Sequence, residues 1–240
     1  KRVVLIERGD RLVRRAVGPD TSAFIRDHHV ERGIDIKLNT PIEEFLGSAG
    51  RLVGVRAGGE EFAADIVLVG IGVIPNTELA EQLGLEVSNG IVVDKYAVTS
   101  DGVTLAVGDC SNLPNPIPGA PTGERVRFES VNHAIEQAKV AAYKITGRET
   151  EYENIPWFWS NQHELKLQIA GLSLGYDQTV VRSPEDPNKF SVLYYQSGRL
   201  IAADAINVPL DFMTVRQALT KGINLPAGDV ADPATPLKQV

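Results

Sequence analysis

Five short stretches of this chain carry residue types able to do chemistry. Glu7 closes Val3-Val4-Leu5-Ile6, an apolar run that suits a parallel strand buried on both faces. In a dinucleotide fold, a carboxylate at such a strand end accepts hydrogen bonds from ribose hydroxyls and repels a 2′-phosphate, favouring NADH over NADPH. The alternative is a solvent-facing acid, and no glycine fingerprint precedes Glu7. Arg11, Arg14 and Arg15 after it could clamp a diphosphate or simply solvate the loop. In Gly70-Ile71-Gly72-Val73-Ile74-Pro75-Asn76, glycines allow backbone to approach a flat ligand; an ordinary strand-to-helix turn would look the same. Thr104–Cys110 delivers Gly108 and then Asp109 to a strand end, where open α/β folds bind ligands. Asp109 there could accept a hydrogen bond from a polyol hydroxyl, or merely form a turn. Glu129-Ser130-Val131 opens a helix whose first-turn N–H groups suit a carbonyl or an anion, or are capped with no ligand. Trp157-Phe158-Trp159 is either core or a wall for a flat ring such as an isoalloxazine.

These residues sit in a chain of 240 with 43% hydrophobic and 23% charged side chains, enough apolar material for a real core. A net charge of −7 argues against a nucleic-acid surface, which needs a basic patch. Cys110 is the single cysteine, so neither an internal disulfide nor a Cys-x-x-Cys pair can form. His28, His29, His133 and His163 lack zinc-ligand spacing. No apolar run is long enough for a bilayer and no secretory leader is seen, so a soluble cytoplasmic chain without membrane contact is expected. Opening directly in a strand at Val3 predicts a piece cut from a longer protein.

The elements that must position these residues follow from periodicity and punctuation. After the first strand, Asp20-Thr21-Ser22 offers N-caps for a helix to Glu31-Arg32, with Gly33 as its stop. A strand over Ile34–Leu38, a meander over Ile42–Ala63 and a second buried strand over Ile66–Gly70 complete the later part of a doubly wound α/β unit. Thr77–Leu83 reads as helix, Gly90–Val93 as extended, Val103–Gly108 as a buried strand and Asn112–Thr122 as loop. Ser130–Ile145 carries an apolar stripe at 131, 134, 135, 138, 141, 142 and 145. Beyond Pro156, four strands and a helix over Leu210–Lys221 form a third unit, with a loosely held tail from Pro226.

The order Glu7, Gly-Ile-Gly-Val-Ile-Pro-Asn, Val-Gly-Asp-Cys, Glu-Ser-Val-Asn-His-Ala-Ile-Glu-Gln-Ala and Pro-Trp-Phe-Trp-Ser-Asn-Gln resembles the putidaredoxin reductase and rhodocoxin reductase family. The resemblance implies a doubly wound FAD/NAD(P)-binding fold, incomplete at its N-terminus, with a C-terminal α+β domain. It divides the chain into the latter part of an NAD domain (1–76), the C-terminal part of an FAD domain (77–152) and the α+β domain (153–240). It implies an oxidoreductase carrying electrons from NADH through FAD to a [2Fe–2S] ferredoxin that serves a P450 or ring-hydroxylating oxygenase. Asp109 would then meet the ribityl chain and the Val131 backbone the flavin's pyrimidine edge, with Gly108, Glu129 and Ser130 also binding the cofactor. Trp159 would lie at the flavin beside the acceptor's docking surface, Glu7 at the NADH ribose, and Ile71 and Gly72 near the nicotinamide. Both glycine fingerprints would precede Lys1. Two other readings are open: a flavin reductase acting on a disulfide, oxygen or nitrite, and a non-catalytic fragment.

Overall fold

The computed structural model describes residues 1–118, 120–121 and 123–240. The chain divides into two compact units, residues 1–73 and 74–240.

In the first unit, β1 (Val4–Ile6) pairs in parallel with β2 (Asp35–Lys37), Leu5 opposite Ile36. The crossover is α1 (Pro19–Glu31). Pro19, not the expected Asp20-Thr21-Ser22, opens that helix: its fixed φ suits the first turn and it lacks an N–H that would otherwise be unsatisfied. Thr21 and Ser22 are buried inside instead, with Ser22 Oγ donating to the Leu12 carbonyl at 2.7 Å. The expected meander forms as β3 (Ile42–Ser48), β4 (Arg51–Ala57) and β5 (Glu60–Ala63).

The strand expected over Ile66–Gly70 does not form. Leu68 is 94% exposed, and Ile66, Val69, Ile71 and Val73 are exposed beside it. A strand exists only by pairing, and among the described residues nothing is hydrogen-bonded to this run as a neighbour.

The second unit starts with α2 (Glu78–Gln82), followed by β6 (Ile91–Val92) and β7 (Ser111–Pro114) in parallel and β8 (Arg125–Val126) antiparallel to β7. Thus part of the expected 112–122 loop is strand; Gly119 and Thr122 in it lie outside the described residues. The buried strand expected over Val103–Gly108 is reduced to one bridge, Val98 to Leu105, and Val103 is 82% exposed. Asp101 explains the loss: its carboxylate accepts the Val103 and Thr104 amides at 3.0 and 2.8 Å, spending on a turn the donors a ladder would need. Those bonds, with the Thr104 hydroxyl, hold the Asp101 carboxyl well below the usual range.

The helix α3 (Val131–Ile145) is capped as its sequence predicts, Ser130 Oγ accepting the His133 amide at 3.1 Å. Its buried face is not the apolar stripe: His133, Gln137, Val140 and Ala141 are inside, while Val131, Ile135 and Ile145 are exposed. The polar pair is tolerated there because each side chain finds partners, described below.

A five-stranded antiparallel sheet, in the order β11 (Gln178–Arg182), β12 (Phe190–Gln196), β13 (Arg199–Ile206), β10 (Leu165–Gly171), β9 (Trp157–Gln162), ends the chain. The Ser197-Gly198 hairpin turn has both residues at positive φ, the twist a two-residue hairpin prefers. The helix α4 (Pro209–Lys221) packs on β13 and β10, ending at Gly222 in the left-handed conformation. Leu193, Tyr195, Ala203, Phe212 and Val215 form its core.

The tail is not loose. Arg182, 3% exposed, pairs with Asp211 at 3.1 Å and donates to the carbonyls of Val230, Asp232 and Thr235. Val230 and Leu237 enter the core, Leu237 opening a last 3₁₀ turn over Leu237–Gln239. The apolar spacing of those two residues was masked by the prolines around them. Among the described residues no helix is long and apolar enough to cross a membrane, and no group of three or more His, Cys, Asp or Glu side chains could hold a metal.

Candidate functional site

Within the second unit a cavity of about 420 Å³ is lined by Asp109, Glu129, Ser130, Val131, Ala134, Phe158 and Trp159. Three segments far apart in sequence build it: the turn after Ala106, the N-terminus of α3 and the edge strand β9. Of the residues singled out in sequence, Asp109, Glu129, Ser130, Val131 and Trp159 line it; Gly108 precedes Asp109 in the chain and is not part of the lining.

Each wall offers a different chemistry. Asp109 and Glu129 supply carboxylate acceptors. With Ser130 Oγ on the third helical amide, the amides of Val131 and Asn132 are first-turn donors with no carbonyl four residues back inside the helix. Phe158 and Trp159, about 40% exposed, form an apolar aromatic face. Trp159 is braced from behind, its ring 5.4 Å from Trp157, which in turn carries the Arg216 guanidinium 4.9 Å from its ring centre. An aromatic slab opposite hydrogen-bonding groups suits a planar ligand that has a polar edge and a hydroxylated tail.

Behind the cavity lies a buried polar array that the sequence reading missed. Gln137 Oε1 accepts the Gly108 amide at 2.7 Å and the Ser111 hydroxyl at 2.7 Å. His133 Nδ1 is 2.9 Å from the Tyr152 hydroxyl, and its Nε2 is 3.5 Å from Ser111 Oγ. Burial lowers the His133 pKa and pushes that of Tyr152 up to about 12, so both are neutral near pH 7. On the other side, Arg127 donates to the Asp109 carbonyl at 2.9 Å and to Glu129 Oε1 at 2.7 Å. A signal was present: His133 and Gln137 are four apart on one helix face, where two polar residues in register need a shared reason.

The remaining three candidates belong to the first unit. Glu7 sits just past β1, and its Oε1 accepts the Gly9 amide at 2.5 Å, which leaves the second carboxylate oxygen for another donor. Ile71 is exposed, and Gly72, at φ +100°, comes so close to Arg15 that a Cβ on it would be 3.1 Å from the guanidinium.

Comparison with known proteins defines the class. The family model for pyridine nucleotide-disulphide oxidoreductases matches residues 1–138, and that for the reductase C-terminal domain matches residues 157–240. The chain belongs to the pyridine nucleotide-disulphide oxidoreductase family, with the nucleotide-binding α/β fold of that family and a C-terminal sheet domain. Within it, the expected likeness to putidaredoxin and rhodocoxin reductases is borne out. The chain is 41% identical to rhodocoxin reductase of Rhodococcus erythropolis over 98% of its own length and 55% of that protein's. A ferredoxin reductase from Rhodopseudomonas palustris superposes with a TM-score of 0.92 at 35% identity, covering 99% of this chain and 58% of that one. The reductase in the covalent putidaredoxin reductase–putidaredoxin complex gives 0.92 at 38% identity, covering 99% and 57%. The chain thus spans a little over half the length of these relatives.

Proposed function

We propose that this chain is part of a cytoplasmic, NADH-dependent ferredoxin reductase that uses FAD and passes electrons to a [2Fe–2S] ferredoxin serving a P450 or ring-hydroxylating oxygenase. The observation that carries the reading is the cavity walled by Asp109, Val131 and Trp159, together with the names of the relatives. Residues 1–76 would belong to the NAD domain, 77–152 to the FAD domain and 153–240 to the α+β domain.

The residues present fit a flavin. Asp109 would accept from a ribityl hydroxyl; the Val131 and Asn132 amides would donate to the polar edge of the ring; and Trp159 would cover its face. Glu129 and Ser130 would hold that edge in place, Glu129 kept in line by Arg127. FAD, when bound, would supply hydride-accepting and one-electron-donating chemistry. The protein's own task is to bind, orient and exclude water, so no side-chain acid, base or nucleophile is required. Glu7, oriented by the Gly9 amide, would take the NADH ribose, with Ile71 and Gly72 bordering the nicotinamide.

The aromatic Trp157-Phe158-Trp159 segment and the short C-terminal sheet domain favour a ferredoxin over a disulfide as acceptor. The test is steady-state turnover of the full-length protein with NADH and each acceptor. Rapid reduction of a [2Fe–2S] ferredoxin is expected. Fast disulfide reduction with an idle ferredoxin would overturn the proposal.

A further inference from the structure

We infer that Gln137 and Arg127 are positioning residues that clamp the Gly108–Asp109 segment from opposite ends and so aim the Asp109 carboxylate into the cavity; the inference rests on the flavin reading of that cavity. The local backbone cannot do this by itself. Gly108 sits at φ +79° with open conformational choice, and Asp109 is exposed at the end of a segment that forms no strand. The direction of the carboxylate must therefore be imposed by neighbours.

Two neighbours are arranged to impose it. At the leading end, the Gly108 N–H is held by Gln137, a side chain 1% exposed on α3. The Gln137 amide oxygen has two lone pairs, and Gly108 and Ser111 fill both. At the trailing end, the Asp109 carbonyl is held by Arg127, whose other guanidinium arm holds Glu129. The segment between is closed into a turn by the Ser111 amide, which donates to the Gly108 carbonyl at 2.9 Å. Because Gln137 is one helical repeat from Ala134 and Arg127 is two residues from Glu129, the same elements that line the cavity carry both clamps.

A residue that merely stabilises the fold and one that aims Asp109 differ in one measurable way. Losing the first weakens cofactor binding whether or not the carboxylate is present; losing the second matters only while Asp109 is there to be aimed. A double-mutant cycle separates them. Apo-protein of the full-length chain would be titrated with FAD for Asp109→Ala, Gln137→Met, Arg127→Met and each pair with Asp109→Ala, with the thermal midpoint of each apo-protein as the structural control. Asp109→Ala should weaken FAD about tenfold or more, and each clamp variant about fivefold to tenfold. On the Asp109→Ala background, the clamp variants should cost less than about twofold. Gln137→Glu, which keeps an acceptor for Gly108, should recover most of the affinity lost in Gln137→Met. Clamp losses that persist undiminished without Asp109, or that never occur, would overturn the clamp alone. Wild-type FAD affinity in Asp109→Ala would overturn both the clamp and the flavin reading of Asp109. Should Gln137→Met not fold, the Arg127 arm decides the question by itself.

Discussion

At the scale of single residues, the cavity works through groups held neutral or held still. His133 is the clearest case. Its imidazole is fully buried against the Phe128 ring, the Tyr152 hydroxyl and Ser111, so burial lowers its pKa below the unfolded value of about 6.5. Between those two values the unfolded chain binds a proton that the native chain refuses. The stability that neutral His133 contributes is therefore present above pH about 6.5 and lost as pH falls below it. The thermal midpoint of the full-length protein should drop between pH 7.5 and 5.5, and His133→Gln should flatten that drop; equal slopes in both proteins would remove His133 from the account. Asp109, Glu129, Ser130, Val131 and Trp159, which line the cavity, were legible in the sequence because each follows a strand-like apolar run, opens a helix or sits in an aromatic cluster. Arg127 was not, because an arginine in a charged loop looks like ordinary surface until its partners are known, and Gln137 was marked only by its register with His133.

At the scale of elements, alternation and glycine punctuation found most of the strands that pair, missed the edge strand β9, and over-read two apolar runs. The meander β3–β5 and the strands β10 to β13 have partners nearby and clear turns between them, so alternation and glycine punctuation sufficed. The runs at 66–70 and 103–108 read as buried strands from composition alone, yet neither has a ladder: one lacks a neighbour and the other spends its amides on Asp101. The tail failed in the opposite direction. Arg182 on β11 ties it to α4 and to three tail carbonyls, a long-range contact that no local pattern announces. Arg182→Ala should cost about 3–5 kcal/mol, since it leaves Asp211 buried without its cation and the carbonyls without donors. Chemical denaturation of the full-length protein would measure it, and a loss under about 1 kcal/mol would mean the clamp is replaceable by water.

At the scale of the whole molecule, apolar side chains stand open in the run around Ile66–Ile74 and in the α3 stripe of Val131, Ile135 and Ile145. Relatives nearly twice as long have additional chain with which to cover such surfaces. The 240-residue chain alone should bind an apolar fluorescent dye strongly, and Leu68→Lys should reduce both dye binding and light scattering. In the full-length protein the same change should destabilise, because a charge would enter a run covered by the additional chain. A neutral effect there would show that the run stays in solvent in the longer chain as well.

The floor of the cavity comes from Asp109, Glu129, Ser130, Val131 and Ala134, and its aromatic wall from Phe158 and Trp159 on the edge strand of the five-stranded sheet. Any loosening between those two layers would pull the indole of Trp159 away from the ring it is proposed to cover. An indole in contact with an isoalloxazine quenches its green emission by electron transfer. The brightness of the bound cofactor should then act as a built-in gauge of how tightly the last third of the chain is seated, readable in real time without any label.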